Sequence, residues 1–277
     1  MADTIHPVLD QNTMRRRGVG LRGLNRAKAF PGYTLFAPLS GNGEVYLIDL
    51  DGTVVHQWQL PYKPGLCGYL LPSGNLFYGG KIPETPARFP QWALFQGGIV
   101  LEADWDSNIV WQVKHPDHHH DARRLRNGNT LLLCAEQVPT ALVSRIQGGI
   151  PGTEVAGAMY ADVVYEITPS GAVVWHWHAW EHLDPDRHSI TAHDQRHEWT
   201  HGNTVGELAD GNIILSFRNI STVVIVEKQT GRIIWELGDE VLAQQHYPHE
   251  LPNGNILLFD NGTFRRTNAV SYTHLRA

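Results

Sequence analysis

Three histidines recur in one frame. His246 stands eight residues before Gly254, His120 eight residues before Gly128, and His201 ten residues before Gly211. Each glycine lies in an Asn-Gly or Asp-Gly pair followed by a short apolar run: Thr130-Leu131-Leu132-Leu133, Ile213-Ile214-Leu215 and Ile256-Leu257-Leu258-Phe259. Imidazole changes protonation near neutral pH, so several imidazoles facing one space supply a nucleophile, an acid and a base. Arg218 ends the apolar run that follows Gly211. Its planar donor fork matches a tetrahedral oxyanion such as sulfate or phosphate. The plainer alternatives are loop histidines bonded to carbonyls and a surface ion pair for the arginine. Repetition of the spacing favours a shared site.

The elements that must carry these side chains also repeat. A unit of strand, turn, strand, irregular stretch, glycine turn and strand occurs four times from Tyr33. The copies begin at Val45-Tyr46-Leu47-Ile48, Ile99-Val100-Leu101, Val163-Val164-Tyr165 and Val223-Val224-Ile225. Asn253-Gly254 and its equivalents fit a tight type I′ turn, whose positive φ angles suit Asn and Gly. Trp111, Trp175 and Trp235 share one position, filled by His56 in the first copy. Recurrence at one position is what packing between repeats requires. Radial repetition of small antiparallel sheets hides strand edges, so the chain reads as an all-β protein, a β-propeller. Equivalent residues of successive blades then converge on the central channel. Insertions at 81–97, 136–161 and 178–200 are loops of the kind that carry specificity.

Residues 1–32 read as an N-terminal arm or closing strand and 33–268 as propeller blades. Residues 269–277 resemble the translated adapter tail of open reading frames from environmental DNA and are set aside. With only four units visible, the ring is expected to be incomplete at its C-terminal side. The chain has 277 residues, a formal net charge of -6 and a pI near 6.2, against nucleic-acid or anionic-membrane binding. Arg15-Arg16-Arg17 reads as part of a solvated arm. Two cysteines, Cys67 and Cys134, make no disulfide framework and read as small buried hydrophobes. No secretory h-region or transmembrane stretch is evident, so the expected location is cytoplasmic.

The order His119-His120-Asp121, Trp199-Thr200-His201-Gly202-Asn203 with Ser216-Phe217-Arg218, then Gln245-His246 with Asn255 to Gly262, resembles the bacterial aryl-sulfate sulfotransferases. The resemblance covers about Tyr33 to Gly262. It implies a six-bladed propeller that moves a sulfuryl group between phenols without a nucleotide donor and without a cofactor or metal. It makes His246 the transiently sulfated histidine, with His120, His201 and Arg218 around the sulfuryl group. Asn203 and His119 are expected to touch substrate, and a further family threonine falls beyond Gly262. Implied partners are an aryl sulfate donor and a phenol acceptor; a homodimer is compatible with the sequence.

Two rival readings remain in view. His197-Glu198-Trp199-Thr200-His201 matches the H-E-x-x-H pattern of zinc peptidases, yet no helical apolar period surrounds it. A non-catalytic propeller scaffold accounts for the repeats and leaves the sixteen histidines unexplained.

Overall fold

The glycine turns set the strand order, and their chemistry is uniform. In the computed structural model, which describes residues 21, 23–84, 86–265 and the strand backbone 273–276, each is a Leu-x-x-Gly-Asn loop. The glycine N–H bonds back to the leucine carbonyl, as from Gly128 to Leu125 (3.0 Å) and Gly254 to Leu251 (2.9 Å), and the leucine N–H bonds to the asparagine carbonyl. Only the glycine has positive φ: 88° at Gly74, 87° at Gly128, 91° at Gly211 and 79° at Gly254. These are therefore type I turns closed by one left-handed residue, and the expected type I′ geometry is corrected. The reason lies in the residue before each glycine. Asn127, Asp210 and Asn253 accept the backbone N–H two residues on at 2.9, 2.9 and 3.0 Å, which holds that residue right-handed.

Between the turns the chain forms five blade-like sheets among the described residues. The first holds β1 (Thr34–Phe36), β2 (Glu44–Ile48) and β3 (Val54–Gln59). The second holds β4 (Pro64–Leu70), β5 (Leu76–Lys81), β6 (Gly98–Ala103) and β7 (Ile109–Lys114). The third is built from β8 (His118–Arg124) and β9 (Thr130–Gln137), then β11 (Tyr160–Ile167) and β12 (Val173–His178), with the short β10 (Gly148–Ile150) outside it. A parallel pair joins β10 to β13 (Ile190–Gln195). The fourth sheet is β14 (Gly202–Glu207), β15 (Ile213–Phe217), β16 (Thr222–Val226) and β17 (Ile233–Leu237). The fifth is β18 (His246–Glu250), β19 (Asn255–Phe259) and β20 (Thr273–Arg276). Pairing within these sheets is antiparallel throughout.

The innermost strands β4, β8, β14 and β18 lie against one another in succession, so the architecture is a β-propeller around a channel. Each sequence copy supplies the outer two strands of one sheet and the inner two of the next. Middle strands are apolar on both sides because both faces are covered. Leu131 and Leu133 enter the core between the third and fourth sheets, while Leu132 and Cys134 enter that between the second and third. Cys67 and Cys134 are buried free thiols, as expected; burial pushes Cys67 up to about 12.

The tryptophans pack between blades, and Trp111 and Trp175 also latch. The indole N–H of Trp111 donates to the Pro169 carbonyl (2.8 Å) and that of Trp175 to the Lys228 carbonyl (3.1 Å), both in the following sheet's turn. His56 reproduces the bond with Nε2 at 2.9 Å from the Trp105 carbonyl. Trp58 and Trp177 add a second latch, to Asp104 O and Gly231 O, each at 2.9 Å.

All three insertions emerge on one end of the channel, opposite the glycine turns. They contain one-turn helices, α1 (Trp92–Phe95), α2 (Thr140–Val143) and α3 (Ala179–His182). Phe89, Trp92 and Phe95 pack with Ala135, Val155 and Tyr160 into a cap. Glu136 ties the second insertion to the third through His178 Nδ1 (2.5 Å) and Trp180 Nε1 (2.7 Å). Among the described residues no helix is long and apolar enough to cross a membrane. Arg15-Arg16-Arg17 lies outside the described residues, as do 266–272 and Ala277.

Candidate active site at the capped end of the channel

Every innermost strand breaks its register near its start. The irregularities fall between Pro64 and Gly68, His118 and Ala122, Gly202 and Thr204, and His246 and His249. A left-handed non-glycine residue accompanies each: Leu66 (φ 81°), His120 (48°), His201 (50°) and Tyr247 (53°). Such bulges re-aim side chains, and histidine accepts this backbone region better than most residues. The repeated bulge is what gathers histidines from three blades beneath the cap.

His120 and His201 meet edge to face with ring centroids 4.7 Å apart. Phe95 from the cap stacks on His120 at 4.8 Å and meets His201 edge-on at 4.9 Å. The His201 Nδ1–H donates to Glu198 Oε2 at 2.7 Å. The His246 Nδ1–H donates to the Gln244 carbonyl at 3.1 Å, which puts the lone pair of the neutral ring on Nε2, and the Asn261 side chain also hydrogen-bonds to this imidazole. Burial lowers the proton affinity of His246, and the charges of His201 and Arg218 act in the same direction. His120 is held well below the ordinary imidazole range by burial, then by His201, His119 and His246. His246 lies near enough to His120 and His201 for their charges to act on one another.

Arg218 stands at the wall of a cleft of about 350 Å³ that His201, Glu198, Asp194 and Phe95 also line. Its Nη1 donates to Asp194 Oδ1 (3.1 Å) and Asn219 Oδ1 (2.8 Å), and its Nη2 to Gln244 Oε1 (3.0 Å). Gln244 thus binds Arg218 through its side chain and His246 through its backbone. Gln245 beside it is a buried latch, donating to Ser216 Oγ, Phe217 O and Thr222 O.

The four residues expected to do chemistry, His120, His201, His246 and Arg218, are brought to this end of the channel. The two expected to touch substrate, His119 and Asn203, have their side chains against protein groups. His119 is 1% exposed, with Nε2 3.1 Å from Asp162 Oδ1 and Nδ1 2.8 Å from His120 Nδ1. Asn203 donates to the Gln245 carbonyl (2.8 Å) and accepts from Thr204 Oγ1 (3.0 Å), so its amide braces β14 against β18. His249 lines a different cleft with Arg123 and Tyr247, which separates it from His246. The H-E-x-x-H segment runs through a turn and bend rather than a helix. Its histidines do not share a helical face, and Glu198 serves His201 instead. Asp162 and Asp194 have no spacing signal linking them to the histidines, whereas Glu198 stands three residues before His201 within the H-E-x-x-H match. The Gln244-Gln245 pair before His246 offers a further hint.

The fold and the site together define a propeller whose channel mouth carries histidines from three blades and one arginine. Residues 107–244 match the family model described as Arylsulfotransferase (ASST). Over that stretch the chain belongs to the arylsulfotransferase family, and the family supports aryl sulfotransferase activity in general. No curated protein matches the chain. Among solved structures, a protein of unknown function from Bacteroides caccae has a similar fold, with TM-score 0.51 at 14% identity over 88% of this chain and 74% of that one. The β-propeller domain of Myceliophteria thermophila Cps50 (Swd1) gives TM-score 0.48 at 11% identity, over 89% of this chain and 68% of that one.

Proposed function

We propose that the protein moves a sulfuryl group from an aryl sulfate to a phenolic acceptor in two steps through His246. The observation that supports this most is the His246 Nδ1–H bond to the Gln244 carbonyl, which leaves Nε2 as the nucleophile in the neutral ring. In the first step Nε2 attacks sulfur, the N–S bond forms and the S–O(aryl) bond breaks, its electron pair leaving with the phenolate. In the second, the acceptor oxygen attacks sulfur and the N–S pair returns to Nε2. Charge stays on the three terminal oxygens throughout, as in phosphoryl transfer. Arg218 has unassigned N–H groups for those oxygens, and His120 and His201 serve the phenolic proton.

The test is intact-mass analysis after a short quench with p-nitrophenyl sulfate. The expected result is one added sulfuryl group with nitrophenol release in the wild type and neither in His246→Ala. An adduct retained in the folded variant would move the nucleophile elsewhere. Absence of both adduct and nitrophenol in the wild type would leave simple phenyl sulfates out of the donor range.

A further inference from the structure

The buried groups behind His120 form a chain that the two-step chemistry has not used. Asp162 is buried, and its Oδ2 accepts from the Thr200 hydroxyl and from the Gly202 N–H (2.6 Å). Its Oδ1 lies 3.1 Å from His119 Nε2, a close charge contact that lacks hydrogen-bond alignment, and His119 Nδ1 lies 2.8 Å from His120 Nδ1. A carboxylate oxygen this close repels a bare ring lone pair and attracts an N–H, so its charge favours the tautomer of His119 with the proton on Nε2. His119 Nδ1 is then bare. Two facing ring nitrogens at that distance need one proton between them, so His120 Nδ1 carries it. His120 Nε2, on the opposite side of the ring, is left as a lone pair. Phe95, stacked on the ring at 4.8 Å and 20°, opposes a flip that would exchange the two nitrogens.

We propose that Asp162 and His119 are positioning residues that set the tautomer of His120 and so make His120 Nε2 the base for the acceptor phenol. This rests on the sulfuryl-transfer reading. In the acceptor step the phenol O–H proton passes to His120 Nε2 while the phenol oxygen forms the O–S bond and the N–S pair returns to His246. The imidazolium on His120 then releases its proton to solvent. The donor step, in which a phenolate leaves, does not need this base.

The fold offers a variant that reverses the relay without removing its supports. In Asp162→Asn the amide oxygen can take the Oδ2 place, keeping the bonds from Thr200 and Gly202, while the NH₂ faces His119 Nε2. His119 must then accept at Nε2 and donate at Nδ1, which turns His120 into the Nε2–H tautomer. Nitrogen-15 NMR of the ring of His120 in the whole protein should show the exchange directly, with or without turnover. In rapid-quench kinetics with p-nitrophenyl sulfate and a phenol, adduct formation should stay within a few-fold of wild type, while its discharge to the phenol should slow by about 10²–10⁴-fold. An unchanged His120 tautomer, or discharge within threefold of wild type, would overturn the proposal. A wild type that forms no adduct would instead count against sulfuryl transfer, and the NMR result would still decide the relay. Should Asp162→Asn fail to fold, His119→Gln and His119→Leu decide it. Glutamine can donate toward Asp162 and accept from His120 Nδ1, so it should hold discharge within tenfold where leucine loses it; equal rates would sink the relay.

Discussion

Replacing Arg218 by lysine keeps the charge and removes the fork. The guanidinium has five N–H donors, and three of them are engaged by Asp194 Oδ1, Asn219 Oδ1 and Gln244 Oε1. The Nε–H and one Nη2–H remain for sulfuryl oxygens. A lysine ammonium is a point donor; held by Asp194, it cannot also reach Gln244 and two further oxygens. Loss of one donor aimed at developing charge costs about 3 kcal/mol of barrier, or roughly 10²–10³-fold in kcat. Loss of the bonds to Asn219 and Gln244 costs about 1 kcal/mol each of stability, a Tm decrease of roughly 4–8 °C in all. The assay is nitrophenol release from p-nitrophenyl sulfate with saturating phenol, on protein shown folded by circular dichroism at the assay temperature. The expected outcome is a kcat loss of that order with the donor KM changed less. Turnover within threefold of wild type would remove Arg218 from the reacting centre.

Stability should fall in mild acid. His118 is fully buried and its proton affinity is lowered from 6.5 to about 3, first by burial. Between those values the unfolded chain takes up a proton that the folded chain refuses, so the contribution is complete above 6.5 and declines below it at up to about 1.4 kcal/mol per pH unit. Thermal melts from pH 7 to 5 should show a falling Tm, with a shallower slope in His118→Gln; a flat wild-type profile would contradict the burial argument. At Gly97 a Cβ would lie 2.1 Å from His118 Nδ1, so Gly97→Ala must displace that ring at the root of the β8 bulge. Urea unfolding should show a loss of about 1–3 kcal/mol, the range for overpacking, and no loss would mean that the ring moves freely.

What recurs at short range is legible in the amino-acid sequence. The Leu-x-x-Gly-Asn turns, the shared position of Trp111, Trp175 and Trp235, and the frame from His120 and His246 to their glycines all follow from local spacing. The structure adds the latch bonds, which explain why His56 can stand in that position. The type I′ expectation fails because the Asn-Gly pair alone does not display the side-chain bond from Asn253 to the N–H of Asn255. The supports of the site are hidden for a different reason. Asp162 reaches His119 from the neighbouring strand arrangement, and Asp194 and Gln244 reach Arg218 from an insertion and another blade, so no sequence interval relates them. His119 resembles a substrate ligand by adjacency to His120. A bulge that turns His120 left-handed sends two consecutive side chains to unlike surroundings, and sequence alone does not show where it falls.

The bulge occurs also where no histidine stands. Leu66, eight residues before Gly74, has the left-handed backbone of His120 and is 42% exposed. The backbone irregularity is thus independent of the imidazole it carries elsewhere. It behaves as an interchangeable socket, repeated by the architecture and fitted with a functional group in some copies and left blank in others. A scaffold organised this way allows reactive groups around an axis to be added, deleted or exchanged one blade at a time, with the main chain already shaped to receive them.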